Sequence, residues 1–258
     1  MKQKSVSFSL LFKVLPLIIG LVFLKVAFHF QGWEFLELNT LFTAIISANV
    51  FLLGFLLAGV LADFKESERL PGELSASIEA LADEMLSLHQ AKRVPKAKEG
   101  VEHLLSFLTL LQLWFHKNER TNTVLENIRG LNDFFIHFEP HTQANFIVRM
   151  KQEQTSLRRT ISRIDTIRDT SFVSSAYLIA EINSGLLIFG LLALTTDAFW
   201  SSLFFTGIIT TLFIYMLALI RDLDNPFGFY EVSTHENVPI KLIFDTEKRL
   251  LKELKKMS

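Results

Sequence analysis

Four polar side chains stand inside long apolar stretches, where each is costly unless something compensates it. Lys13 and Lys25 lie in "SLLFKVLPLIIGLVFLKVAFHF", and Glu181 and Asn183 lie in "SAYLIAEINSGLLIFG". A charge at bilayer depth costs at least ~2.5–3.5 kcal/mol on insertion scales, so such residues mark either function or a partner. Lys13 and Glu181 fall near the same side of the bilayer with opposite signs. One expectation is an ion pair between their helices. The other is that Lys13 and Lys25 snorkel to the two interfaces, leaving Glu181 neutral or facing water. Ser184 extends the Asn183 patch, so this segment does not face lipid all round.

A second constellation lies in "SANVFLLGFLLAGVLA". Ser47, Phe51, Phe55, Ala58 and Ala62 follow i, i+4, i+8, i+11 and i+15, which places them on one face of a helix. Gly54 and Ala58 form a small-xxx-small pair that admits a close neighbour. This face reads either as a helix-packing seam or as the wall of a pore. A third group is basic: Arg158, Arg159, Arg163 and Arg168 precede the third apolar run. They form either a solvated face touching lipid headgroups or a basic vestibule that concentrates anions.

Catalytic constellations are missing. The chain has no cysteine, which excludes thiolate chemistry and disulfides. No phosphate-binding loop, nucleophile elbow, zinc-helix or dinucleotide motif is present. His137 and His141 are four apart, but Pro140 interrupts the helix that would align them. The expectation is therefore no enzyme, no metal and no cofactor. Residues 63–171 carry fifteen basic against sixteen acidic residues, a balance that gives nucleic acid nothing to hold.

The elements that carry these residues follow from hydropathy. Half of the 258 residues are hydrophobic and 25 are Phe, a composition suited to an all-α integral membrane protein. Four segments are long enough to span a hydrocarbon core: about 8–30, 41–62, 172–195 and 200–220. The first is read as an uncleaved span, because "KVAFHFQGW" offers no small-residue cleavage pattern. Neither short loop, "QGWEFLELNT" nor "TDAF", holds any of the 26 Lys and Arg residues. The positive-inside rule then places both termini and the long middle section in the cytoplasm of a multi-pass inner (cell) membrane protein. Trp33 and Trp200 sit where interfacial aromatic anchors belong.

This divides the chain into spans one and two (1–62), a cytoplasmic helical bundle (63–171), spans three and four (172–220) and a cytoplasmic tail (221–258). Within the bundle, Leu74, Ile78, Leu81, Met85 and Leu88 give one apolar helix face. "RVPKAKEG" reads as a linker. Val101 to Phe115 is apolar nearly all round and reads as the bundle centre. "NTVLENIRGLNDFFIHF" is a third helix, ended near Pro140. From Thr142 to Thr195 no Pro intervenes, so one unbroken helix is expected there, with Ile147, Met150, Leu157, Ile161, Ile164 and Ile167 as its packing stripe. "TEKRLLKELKKM" reads as a short amphipathic helix through Leu250, Leu251, Leu254 and Met257.

Three short motifs, in this order along four spans, resemble the bestrophins, a family of pentameric anion channels. "FLLGFLL" at 51–57 is similar to the family's second-span "FVLGFYV". "ERLP" at 68–71 is similar to its "ENLP". "NPFG" at 225–228 matches its "NPFG", and "DLDNPF" also resembles the bestrophin-like domain family. The resemblance implies a homo-oligomer, a pentamer, conducting small inorganic anions such as chloride through a hydrophobic neck lined by the second span. It places two neck phenylalanines on Phe51 and Phe55. The third neck position falls on Ser47, where the family has an aliphatic residue, so that ring is polar here. The acidic run that follows "NPFG" in the family's animal members and helps bind calcium is replaced by Phe229, Tyr230 and Glu231, so calcium activation is not implied. Asp222 and Asp224 read as capping residues. The competing expectation is a non-conducting membrane-anchored protein whose cytoplasmic helices bind a partner.

Overall fold

The computed structural model describes residues 9–169, 174–196, 198–229 and 237–257. The chain is helical: α1 Ser9–Gln31, α2 Thr40–Ser67, α3 Leu70–Lys92, α4 Pro95–Phe115, α5 Thr121–Phe138, α6 Ala144–Asp169, α7 Ser174–Leu192, α8 Phe199–Leu223 and α9 Lys241–Lys256. A two-stranded parallel ribbon joins β1 Leu36–Glu37 to β2 Leu194–Thr195, with Leu36 opposite Leu194. Helices α1, α2, α7 and α8 are long and apolar enough to cross a membrane.

The chain forms two compact units. One holds α1, α2 as far as Asp63, the ribbon, α7 and α8. The other holds α2 from Phe64, α3 to α6, residues 226–229, and the chain from Asn237 with α9. In the first unit α8 packs along α1 and α7. Gly32, with φ +68°, ends α1, and the amide of Trp33 donates back to the Phe28 carbonyl at 3.0 Å. That left-handed residue is the usual way a helix stops.

In the second unit α4 is central, in contact with α3, α5 and α9. Val101, Leu104, Phe107, Leu108, Leu111, Trp114 and Phe115 are all buried there, but they share one face of α4, and Glu102, Ser106, Thr109 and Leu113 are exposed, so the helix is central without being buried all round. The "RVPKAKEG" linker expectation is corrected. Arg93, in the left-handed region at φ 51°, ends α3, and α4 begins two residues later at Pro95. Pro is favoured at a first helical position because its missing N–H has no partner there to lose. Gly100, inside that supposed linker, makes room for α3: a Cβ would meet the Met85 sulfur at 2.7 Å.

Two further expectations change, and a third falls outside the described residues. Helix α7 ends at Leu192, because residues 194–195 leave it to form the ribbon. Neither strand has a sequence signal, since two residues are too few for alternation to register. Helix α6 ends at Asp169 and α7 starts at Ser174; the join needed for one unbroken helix lies outside the described residues. The inward face of α9 is Ile243, Thr246 and Leu250, while Leu251 is exposed. The helix begins at Lys241, five residues before "TEKRL", and those residues decide which face packs.

The family-like "NPFG" has a structural role. Phe227 is fully buried and lies 5.9 Å from the Phe115 ring. The amide of Val238 donates to the Pro226 carbonyl at 2.9 Å. In "ERLP", Glu68 and Arg69 make the turn between α2 and α3, and Leu70 and Pro71, both buried, open α3. Asp222 is buried near the end of α8. Tyr230 and Glu231 lie outside the described residues.

Candidate functional site

Helix α2 has two unlike faces. Asn49, Leu53, Leu56, Val60 and Phe64 are buried. On the opposite side Ser47, Phe51, Gly54, Phe55, Ala58 and Ala62 are all exposed. Phe51 is 76 % exposed and Phe55 65 %. Nothing approaches within 4 Å of where a Gly54 side chain would stand. Among the described residues, the small-xxx-small pair is therefore not a seam to another helix. The Ser47 hydroxyl donates to the Thr43 carbonyl at 3.0 Å, which leaves its lone pairs directed away from the backbone.

The buried face is fixed by a polar contact. The Asn49 side-chain amide donates to the Ser184 hydroxyl at 3.0 Å, with both residues buried. Sequence reasoning placed Ser184 in a polar patch without finding Asn49 as its partner, and Asn183 beside it is exposed. Replacing Asn49 by Ala should lower stability by about 1–3 kcal/mol, the cost of a lost buried hydrogen bond and an orphaned group. Denaturant unfolding checks this, and Ser184→Ala in the same background should cost less than it does alone.

Glu181 is paired, but not with Lys13. Arg221 on α8 donates to the Glu181 carboxylate through Nε at 3.0 Å and Nη2 at 2.5 Å. Lys13 is exposed on α1. Arg221 escaped the sequence reading because it sits just past the apolar run of the fourth span.

Lys25 does not snorkel. It is fully buried, and its ammonium donates to Glu34 at 2.7 Å and to the carbonyls of Leu192 and Leu194 at 3.2 and 2.7 Å. Three acceptors satisfy an ammonium's three donors. Those carbonyls are freed where α7 gives way to the ribbon, so Lys25 fastens α1 to both short connections. His29 contributes a contact of 3.0 Å to the other Glu34 oxygen and stacks on Phe199 at 4.2 Å.

Burial pushes the Glu34 carboxyl upward. The bonds from Lys25 and His29 outweigh it and hold the group below its ordinary 4.5. A carboxyl depressed on folding contributes stability that is complete above its unfolded value and is lost as pH falls through the folded one. Melting temperature compared between the natural chain and Glu34→Gln should therefore differ near neutrality. The difference should shrink as pH falls below about 4.5.

The four arginines before α7 do not act alike. Arg163 makes a two-pronged bond to Glu66, at 2.8 and 2.7 Å. Arg168 lies over the Trp114 ring at 4.9 Å. Arg159 is exposed and Arg158 half-buried. Two of the four charges are thus already engaged, which reduces what the group offers to a passing anion. Among the described residues no cluster of His, Asp or Glu has metal-binding geometry.

No family model and no curated protein sequence matches the chain. Solved structures do. One single-substitution variant of a bacterial bestrophin homolog from Klebsiella pneumoniae aligns with a TM-score of 0.79 at 16% identity, over 96% of this chain and 98% of that one. A second variant gives 0.75 at 16% identity, over 95% and 99%. A crystal structure described only as a membrane protein variant gives 0.76 at 14% identity, over 95% and 98%. The four-span helical fold of these proteins is the fold of this chain.

Proposed function

We propose that this chain, built on the fold of the bacterial bestrophin homologs, is one subunit of a ring-shaped ion channel whose path is lined by α2. The supporting observation is the bare face of that helix. Two phenylalanines, a hydroxyl and three small residues share it, and no part of the described chain covers it. Lipid would accept Phe there but has no use for Gly54, Ala58 and Ala62 on the same stripe. Copies of α2 around a closed axis use both: the small residues let neighbours approach, and cyclic symmetry brings each Phe to its equivalents. A pentamer, as in the family that the motifs resemble, is the assembly we assign.

Rings of Phe51 and Phe55 narrow a water path until it dewets, which stops ions without any moving part. Selectivity follows from the same residues. The stripe carries no carboxylate, and phenyl edges are electropositive, so small anions such as chloride pass more readily than cations. Ser47 supplies a polar ring on the short-loop side of the neck. Arg159, with Arg158 beside it, raises the local anion concentration. Conduction is passive, with no reaction and no cofactor. Both termini and the helical unit lie in the cytoplasm of the inner membrane, the short ribbon-bearing loops outside.

Mass measurement of the detergent-solubilised protein under native conditions should give five subunits, and a bilayer with a chloride gradient should give a reversal potential on the chloride side of zero. A monomer or dimer cannot enclose a neck. It would leave the competing reading, an anchored protein with a partner-binding helical unit.

A further inference from the structure

A second feature of the membrane-spanning unit is a cavity of about 350 Å³ where α2, the end of α7 and the start of α8 diverge. Its walls include Phe42, Ile46, Leu191 and Phe205, and α8 adds Ser202 and Thr206. Ser202 is 7 % exposed and Thr206 3 %. A serine in a helix ordinarily returns its hydroxyl to the carbonyl four residues back, as Thr211 does to Gly207 at 2.7 Å. Ser202 does not: its oxygen is buried and has no hydrogen-bond partner. An unpaired hydroxyl in an apolar site is costly, and such a group in a native protein has a reason.

We infer that this cavity binds a single alkyl chain carrying a hydrogen-bonding oxygen, with Ser202 as the polar contact. The volume fits. A cavity of ~150 Å³ is enough for benzene, so this one accommodates a chain of roughly eight to ten carbons. The wall is apolar and the helices around it are bilayer-spanning, so such chains are present at high local concentration. The oxygen has two possible sources: a small free amphiphile such as an alkanol, or the ester of a membrane lipid whose acyl chain enters.

The test uses the full chain in lipid nanodiscs. One arm adds octan-1-ol bearing a diazirine; the other uses a phospholipid with a diazirine near the ester end of one chain. After irradiation the modified residues are mapped by mass. Label should concentrate on the lining residues Phe42, Ile46, Ser202, Phe205 and Thr206. Ile46→Trp fills the space and should cut that label about tenfold, as displacing roughly two methylenes implies. Ser202→Ala, which leaves the volume intact, should cut it about threefold to tenfold through the lost hydrogen bond. The arm that labels identifies the source. Label spread evenly over outward residues such as Phe204 and Ile208, and indifferent to both variants, would overturn the inference. So would no label in either arm, the outcome if a second copy fills the space.

Discussion

Replacing Phe51 and Phe55 together by Ala should raise anion flux from reconstituted vesicles by an order of magnitude, roughly, because a dewetted constriction becomes a wet one. Each substitution removes a ring that is mostly exposed in the single chain, so the protomer should lose little stability, within about 0.5 kcal/mol for each. That separation makes the experiment informative. A buried Phe cut to Ala costs about 3–5 kcal/mol, and a flux change would then be confounded with misfolding. The single variants should fall between the natural chain and the double one. Phe51→Trp should lower flux by narrowing the same ring. Flux unchanged in the double variant would mean that neither ring stands in the path.

The largest loss of stability should come from Glu34→Ala. Lys25 has no access to water, and Glu34 supplies the one opposite charge among the three acceptors that the structure gives its ammonium. Deleting one partner of a buried ion pair costs about 3–5 kcal/mol, mostly from the charge left behind. Replacing both, as Lys25→Met with Glu34→Gln, should cost less than Glu34→Ala alone, because no unpaired ammonium remains. The non-additivity among the natural chain, Lys25→Met, Glu34→Gln and the double variant, read from thermal unfolding, measures the coupling directly. If Glu34→Ala melted like the natural chain, the carbonyls of Leu192 and Leu194 would be sufficient on their own.

These two cases also mark what the sequence could and could not convey. Phe51 and Phe55 were legible because a helix repeats every 3.6 residues, so exposure on one face can be counted along the chain. The opposite, buried face appears as the same stretch of Leu and Val whichever way it turns. Lys25 was visible as an anomaly, but its partners were not. Two are backbone carbonyls, which carry no residue signature, and they are free only because α7 stops at Leu192, a stop that residues 193–195 do not announce. Glu34 lies in a loop that the sequence reading used only for its lack of Lys and Arg. Arg221 was counted as the first residue of the tail, although it reaches back to Glu181. In each case the missing information was a contact between segments far apart in sequence. The start of α4 was missed for a different reason: Pro95 and Gly100 read as loop residues by type, yet Pro fits a helix start and Gly here makes room for Met85.

The ring channel proposed above requires the bare face of α2 to meet water rather than lipid. Because the chain has no cysteine, single Cys residues can be placed at Ser47, Phe51, Phe55 and Ala58, and at Phe204 as a lipid-side reference. Each is exposed in bilayers to a charged, membrane-impermeant thiol reagent while flux is recorded. The account predicts rapid modification of Ser47→Cys, with flux reduced, and no modification of Phe204→Cys. If Ser47→Cys, Phe51→Cys and Phe55→Cys react only with a lipid-soluble reagent and flux is untouched, α2 faces the bilayer and lines no path.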